Sequence, residues 1–107
     1  MDAEEFLSRG ADANRFKPVE EVVPGFGTVY IRRLNTSQLD EYGKALREAD
    51  ASDTRATILL HAVGDSAGNP LFTSAALPKL RVIDGAVTNP IVSRFQKINR
   101  LVDDEKK

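Results

Sequence analysis

The chain has 107 residues, 41% of them hydrophobic and 29% charged, and a formal net charge of -1 from 15 basic and 16 acidic residues. That length fits one domain, which buries about two-thirds of its unfolded surface, and the composition excludes both a disordered and a membrane-embedded chain. With no cysteine, disulfides, thiolate metal sites and cysteine nucleophiles are excluded and a reducing cytoplasm is the natural home; the balanced charge gives no general attraction to nucleic acid or anionic lipid.

Residues 1–15 read as a flexible N-terminal arm. Residues 3–9 have the makings of a short helix that Gly10 stops, and residues 10–15 lack apolar periodicity. Met1-Asp2-Ala3-Glu4-Glu5 is acidic and has no apolar h-region, so no signal peptide is expected there. The longest apolar runs, such as Ile58-Leu59-Leu60, are far too short to span a bilayer, and no membrane association is expected.

Residues 16–102 read as a single globular domain of mainly α (α+β) class, an N-terminal β-hairpin followed by a bundle of about four short helices. Residues 19–23 and 28–34 are rich in β-branched side chains and flank Pro24-Gly25-Phe26-Gly27, a turn in which the glycines supply positive φ. In the second strand Val29, Ile31 and Arg33 share one face, while Tyr30, Arg32 and Leu34 share the other. A hairpin alone is marginal in water, so one face must rest on helices.

Everything after Asn35 reads as helical. Asn35 or Thr36 caps the first helix, with Gln38 placed for a capping box. Leu39, Tyr42 and Leu46 form its apolar stripe, and Gly43 weakens the helix a little but allows close packing. Ser52 or Asp53 caps a second helix over residues 54–63, apolar nearly all round and therefore a core helix. Gly64-Asp65-Ser66-Ala67-Gly68-Asn69-Pro70 is a turn by composition, and Leu71-Phe72 is expected to anchor the chain after it. Thr73 or Ser74 caps a short helical turn that Pro78 keeps short. Asn89-Pro90 reads as the start of the last helix, whose stripe is Ile91, Phe95, Ile98 and Val102. Residues 103–107 form a charged tail.

No constellation for catalysis emerges. His61, the only histidine, stands on the most apolar helix and reads as a satisfied core or boundary residue, because an active site needs convergent partners. No serine lies in a Gly-x-Ser-x-Gly elbow, and neither Asp65 nor Asp84 belongs to a calcium loop. Gly25-Phe26-Gly27 joins two strands and opens no helix, so it cradles no phosphate. No cofactor or metal is expected. Arg94, Lys97 and Arg100, with Arg32-Arg33, form a basic face that could track a phosphate backbone; the bland alternative is a solvated helix face. Phe26 at a tight turn and Phe6 and Leu7 in the arm are apolar side chains that a small domain has difficulty burying, and they are the candidate protein-binding residues.

The valine-rich hairpin with Pro-Gly-x-Gly at its turn leads to Arg32-Arg33-Leu34-Asn35-Thr36, then two helices, then Val63-Gly64-Asp65-Ser66-Ala67-Gly68-Asn69-Pro70-Leu71-Phe72-Thr73 and a closing amphipathic helix. In their order and spacing these features resemble the tail assembly chaperones of siphophages, over residues 19–101. Ser74-Ala75-Ala76 stands where that family often has acidic residues. The resemblance implies a non-enzymatic role in the host cytoplasm: binding the phage tape measure protein and keeping it soluble while the tail tube assembles. It implies self-association along that client and a frameshifted longer form of the chain itself; glutamate and lysine codons at Glu105-Lys106-Lys107 can spell the run of adenines such a shift uses, though on the protein sequence alone that ending reads first as a charged, solvated tail. The alternatives are a small nucleic-acid-binding regulator, or another small phage structural or connector protein.

Overall fold

The computed structural model describes residues 1–101; Val102, the 103–107 tail and the Glu105-Lys106-Lys107 ending lie outside the described residues. Helix α1 spans Ala3–Gly10, and the Asp2 carboxylate accepts the Glu5 amide at 2.7 Å. Glu4 and Glu5 in the first turn and Arg9 in the last complement the helix dipole. None of its residues is buried. A 3-10 turn, Ala13–Phe16, follows, its first amides satisfied by Asp12. The segment without apolar periodicity thus takes local structure from its caps.

Strands β1 (Val19–Val23) and β2 (Gly27–Ile31) pair antiparallel, with Val19 opposite Ile31 and Val23 opposite Gly27. Between them Pro24 fixes its own φ and Gly25 takes φ 75°, while the Phe26 amide donates to the Val23 carbonyl at 3.0 Å. This is a type II turn, whose third position needs positive φ. β2 ends at Ile31 rather than Leu34, because the Arg32 amide is taken by the Ala62 carbonyl at 2.8 Å and the Leu34 amide by the Asn99 side chain at 2.9 Å.

A third strand, β3 (Val63–Gly64), pairs with Tyr30 and Ile31 and completes the order β1-β2-β3. This corrects the expectation that everything beyond Asn35 is helical and that the second helix runs through Val63. The chain leaves the helix at Ala62 because β2 offers Val63 a ladder. Gly64 is held there by a close approach: a Cβ would lie 2.6 Å from Cγ of Arg32 and 2.8 Å from the Asn69 carbonyl oxygen.

Four helices follow the hairpin, as expected. α2 (Thr36–Glu48) opens on a complete capping box between Asn35 and Gln38. α3 (Thr54–Ala62) buries Ala56, Thr57, Ile58, Leu59 and Ala62. α4 (Leu77–Leu80) is a single turn after a 3-10 turn at Ser74–Ala76, and neither Thr73 nor Ser74 caps it by side chain. α5 (Gly85–Ile98) starts a turn before the expected Asn89-Pro90 boundary. Asp84 is its cap, accepting the Ala86 amide at 2.9 Å, and Pro90 sits inside the helix, where only the bond to the Ala86 carbonyl is lost. Asn89 instead accepts a hydrogen bond from Arg55 at 2.9 Å.

α5 packs on β1 and β2 and on α3, which in turn carries α2 and α4. Ile31 and Phe95, both 0% exposed, meet at the centre with Val23. Tyr42 packs edge-on against Phe95 (centroids 5.3 Å apart) and His61 (5.4 Å). His61 Nδ1 lies 3.0 Å from the Thr57 carbonyl, a satisfied boundary histidine. Three further expectations are corrected. Gly43 packs closely on nothing, since a Cβ there would meet only an Arg47 nitrogen at 3.5 Å. Leu71 is exposed and only Phe72 packs on the core. Asp53 caps no amide with its side chain, because its carboxylate is engaged by Arg81.

Candidate partner-binding surface

The predicted contact residues are exposed: Phe6 66%, Leu7 67% and Phe26 57%. The fold brings two of them together. Phe6 and Leu7 line one wall of an open groove of ≈ 780 Å³ whose floor includes Phe16, Leu39 and Ile98. Phe26 does not line it and stands at the hairpin turn, on a sheet whose Val22 is also exposed. Strand alternation carries the signal for Val22: the burial of Val23 sends its neighbour to the opposite face.

The groove is set by one side chain that sequence reading passed over. Asn99, just past α5, donates through Nδ2 to the Arg32 and Phe95 carbonyls at 3.0 Å and accepts the Leu34 amide at 2.9 Å. That ties the link between β2 and α2 to the end of α5, the two segments from which Leu39 and Ile98 line the groove. The α5 terminus is a Schellman turn: Arg100 takes φ 56°, its amide donates to Lys97, and the Leu101 amide donates to Gln96 at 2.7 Å. A single asparagine leaves no periodic trace, so its role was legible only from the fold.

The basic face is divided. Arg32 is 5% exposed; its Nη1 donates to the His61 carbonyl at 2.9 Å and its Nε to the Gly68 carbonyl at 3.1 Å. Burial draws its pKa below the ordinary value, and the nearby Asp65 opposes that. Arg94 lies 3.5 Å from Glu21 on β1. Arg33, Lys97 and Arg100 remain at the surface. Arg32 therefore serves the fold, pinning the loop between β3 and Phe72, and reaches no phosphate.

Asp65 organises that loop. Its carboxylate accepts the Ala67 amide at 2.9 Å and the Asn69 amide at 3.0 Å, and the Asn69 amide holds its pKa below the usual carboxylate range. Among the described residues no group of His, Cys, Asp and Glu is placed to hold a metal ion, and no helix is long and apolar enough to cross a membrane.

No protein-family model matches the sequence, and no curated protein does. Among solved structures, the tail assembly chaperone of bacteriophage HK97 matches with a TM-score of 0.59 and 14% identity, over 91% of this chain and 98% of that one. The α+β architecture built from these residues is therefore the fold of the HK97 tail assembly chaperone.

Proposed function

We propose that this protein is a phage tail assembly chaperone that binds the tape measure protein and keeps it soluble in the host cytoplasm while the tail tube assembles. The observation that carries the reading is the fold shared with a tail assembly chaperone across nearly the whole of both chains. Its agreement with the order of motifs over residues 19–101 adds to it. The role asks for no catalytic step. Long apolar helices aggregate unless covered, and an open groove with exposed aromatic and aliphatic side chains suits such a client better than an enclosed pocket does. Self-association along the client, and a longer frameshifted form of the chain, belong to the same reading.

Co-expression with the tape measure protein of the same phage tests it. The client is expected to stay soluble and to co-purify with this chain. The double variant Phe6→Ser/Leu7→Ser and the single variant Phe26→Ser are each expected to reduce recovery of the complex while leaving the circular dichroism spectrum unchanged. Absence of any complex with the wild-type chain overturns the reading; a complex that tolerates all three changes moves the contact surface away from the groove wall and the hairpin turn.

A further inference from the structure

The groove beside α1 has a charge character that the chain as a whole lacks. Arg15, Arg33 and Arg100 line it, and among the described residues no aspartate or glutamate does, although the protein carries a net charge of -1. Glu5, the nearby acid on α1, is paired with Arg9 at 2.7 Å, and neither residue lines the groove. Among the described residues none of the three groove arginines has a carboxylate partner. Arg15 spends its Nε on the Arg9 carbonyl at 2.6 Å, which holds its guanidinium at that end of the groove. Arg100 is placed by the Schellman turn and Arg33 by the Asn99 clamp on its neighbours. The result is an apolar floor, Leu39 and Ile98, with positive charge at its margins.

We infer that this groove takes an amphipathic helix whose apolar stripe is flanked by carboxylates. The stripe packs on Leu39, Ile98, Phe6 and Leu7, and the flanking acids meet Arg15, Arg33 and Arg100. This rests on the chaperone reading and specifies the client segment it would hold. Complementary charge at the margin chooses among apolar helices that the floor alone would bind alike, and it sets the register.

Two synthetic peptides of about 20 residues, long enough to hold a helix, test it against the full chain by fluorescence anisotropy. They share one leucine and isoleucine stripe and differ only in flanking glutamates or lysines. The glutamate peptide is expected to bind about tenfold more tightly, with a preference that shrinks as salt is raised. Arg33→Glu/Arg100→Glu is expected to reverse the preference. Equal binding of the two peptides by the wild-type chain, or a preference insensitive to salt, overturns the inference without needing any variant to fold. Glutamate-peptide binding that emerges only after residues 102–107 are deleted also overturns it, since the occupant would then be the chain's own Asp103-Asp104-Glu105. Competition by a second copy of the chain overturns it in the same way. Co-purification of the tape measure protein without peptide selectivity removes this inference alone; selectivity without co-purification removes the chaperone reading and leaves the groove's preference standing.

Discussion

Arg32 and Gly64 act as one unit. The aliphatic stem of Arg32 crosses Gly64 so closely that no Cβ fits between them, which lets the guanidinium reach the His61 and Gly68 carbonyls from inside the domain. A buried guanidinium is tolerated only when its donors are used, and no buried side-chain polar atom among the described residues lacks a partner. Gly64→Ala is expected to cost about 1–3 kcal/mol, as overpacking does, read from the urea midpoint. A loss under about half a kcal/mol, the range of surface changes, would mean that both the Arg32 stem and the Asn69 carbonyl give way at little cost.

Among the elements, α2 shows what a local rule predicts and what it leaves to context. Its capping box forms as the sequence requires, and Tyr42 is buried on the predicted stripe. Gly43 sits in mid-helix without the close packing that often keeps a glycine there, and an added Cβ would make only ordinary contact with Arg47. Gly43→Ala is therefore expected to stabilise the protein by about 0.5–1 kcal/mol through backbone entropy, measured by thermal unfolding. A lower melting temperature would show that this face of α2 is covered. α5 makes the complementary point: Asn89-Pro90 is a good start signal, yet Asp84 starts the helix earlier because packing on the sheet and α3 offsets the one bond that Pro90 forfeits.

For the molecule as a whole, an ion pair between elements and a carboxylate held by its own loop amides shape the response to acid. Arg81, just past α4, donates both Nε and Nη2 to the Asp53 carboxylate at the start of α3, Nη2 at 2.9 Å. Those hydrogen bonds hold the Asp53 carboxyl below the usual range, and the loop amides do the same for Asp65. A carboxylate with a depressed folded-state pKa contributes fully above its unfolded value of about 3.9, and that contribution is lost as pH falls through the lower folded value. Urea midpoints should therefore be insensitive to these two groups between about pH 5 and 7 and fall below about pH 4. Asp53→Asn should lower the midpoint at neutral pH and make the acid limb shallower. An acid limb identical to wild type would show that the pair contributes no linkage.

The sequence by itself determined the hairpin and its glycine turn, the capped start of α2, the buried character of α3 and the Ile91-Phe95-Ile98 stripe of α5, because each depends on side-chain period or on residues within a few positions of one another. It also marked Phe6, Leu7 and Phe26 as side chains the domain leaves exposed. What only the tertiary structure decided depends on partners far apart in the chain. Val63 is a strand residue because Ile31 lies beside it. Arg32 is internal because the His61 carbonyl of α3 and the Gly68 carbonyl of the following loop, 29 and 36 positions away, accept from it, and Asp53 is an ion-pair member rather than a cap because Arg81 reaches it. Leu39 and Ile98 lie on the apolar stripes their spacing predicts and pack against the core, but that they also floor a groove depends on α1, which stands at its wall and buries none of its own residues. Periodicity reports which side of an element is apolar; what covers that side is settled by where the other elements come to rest.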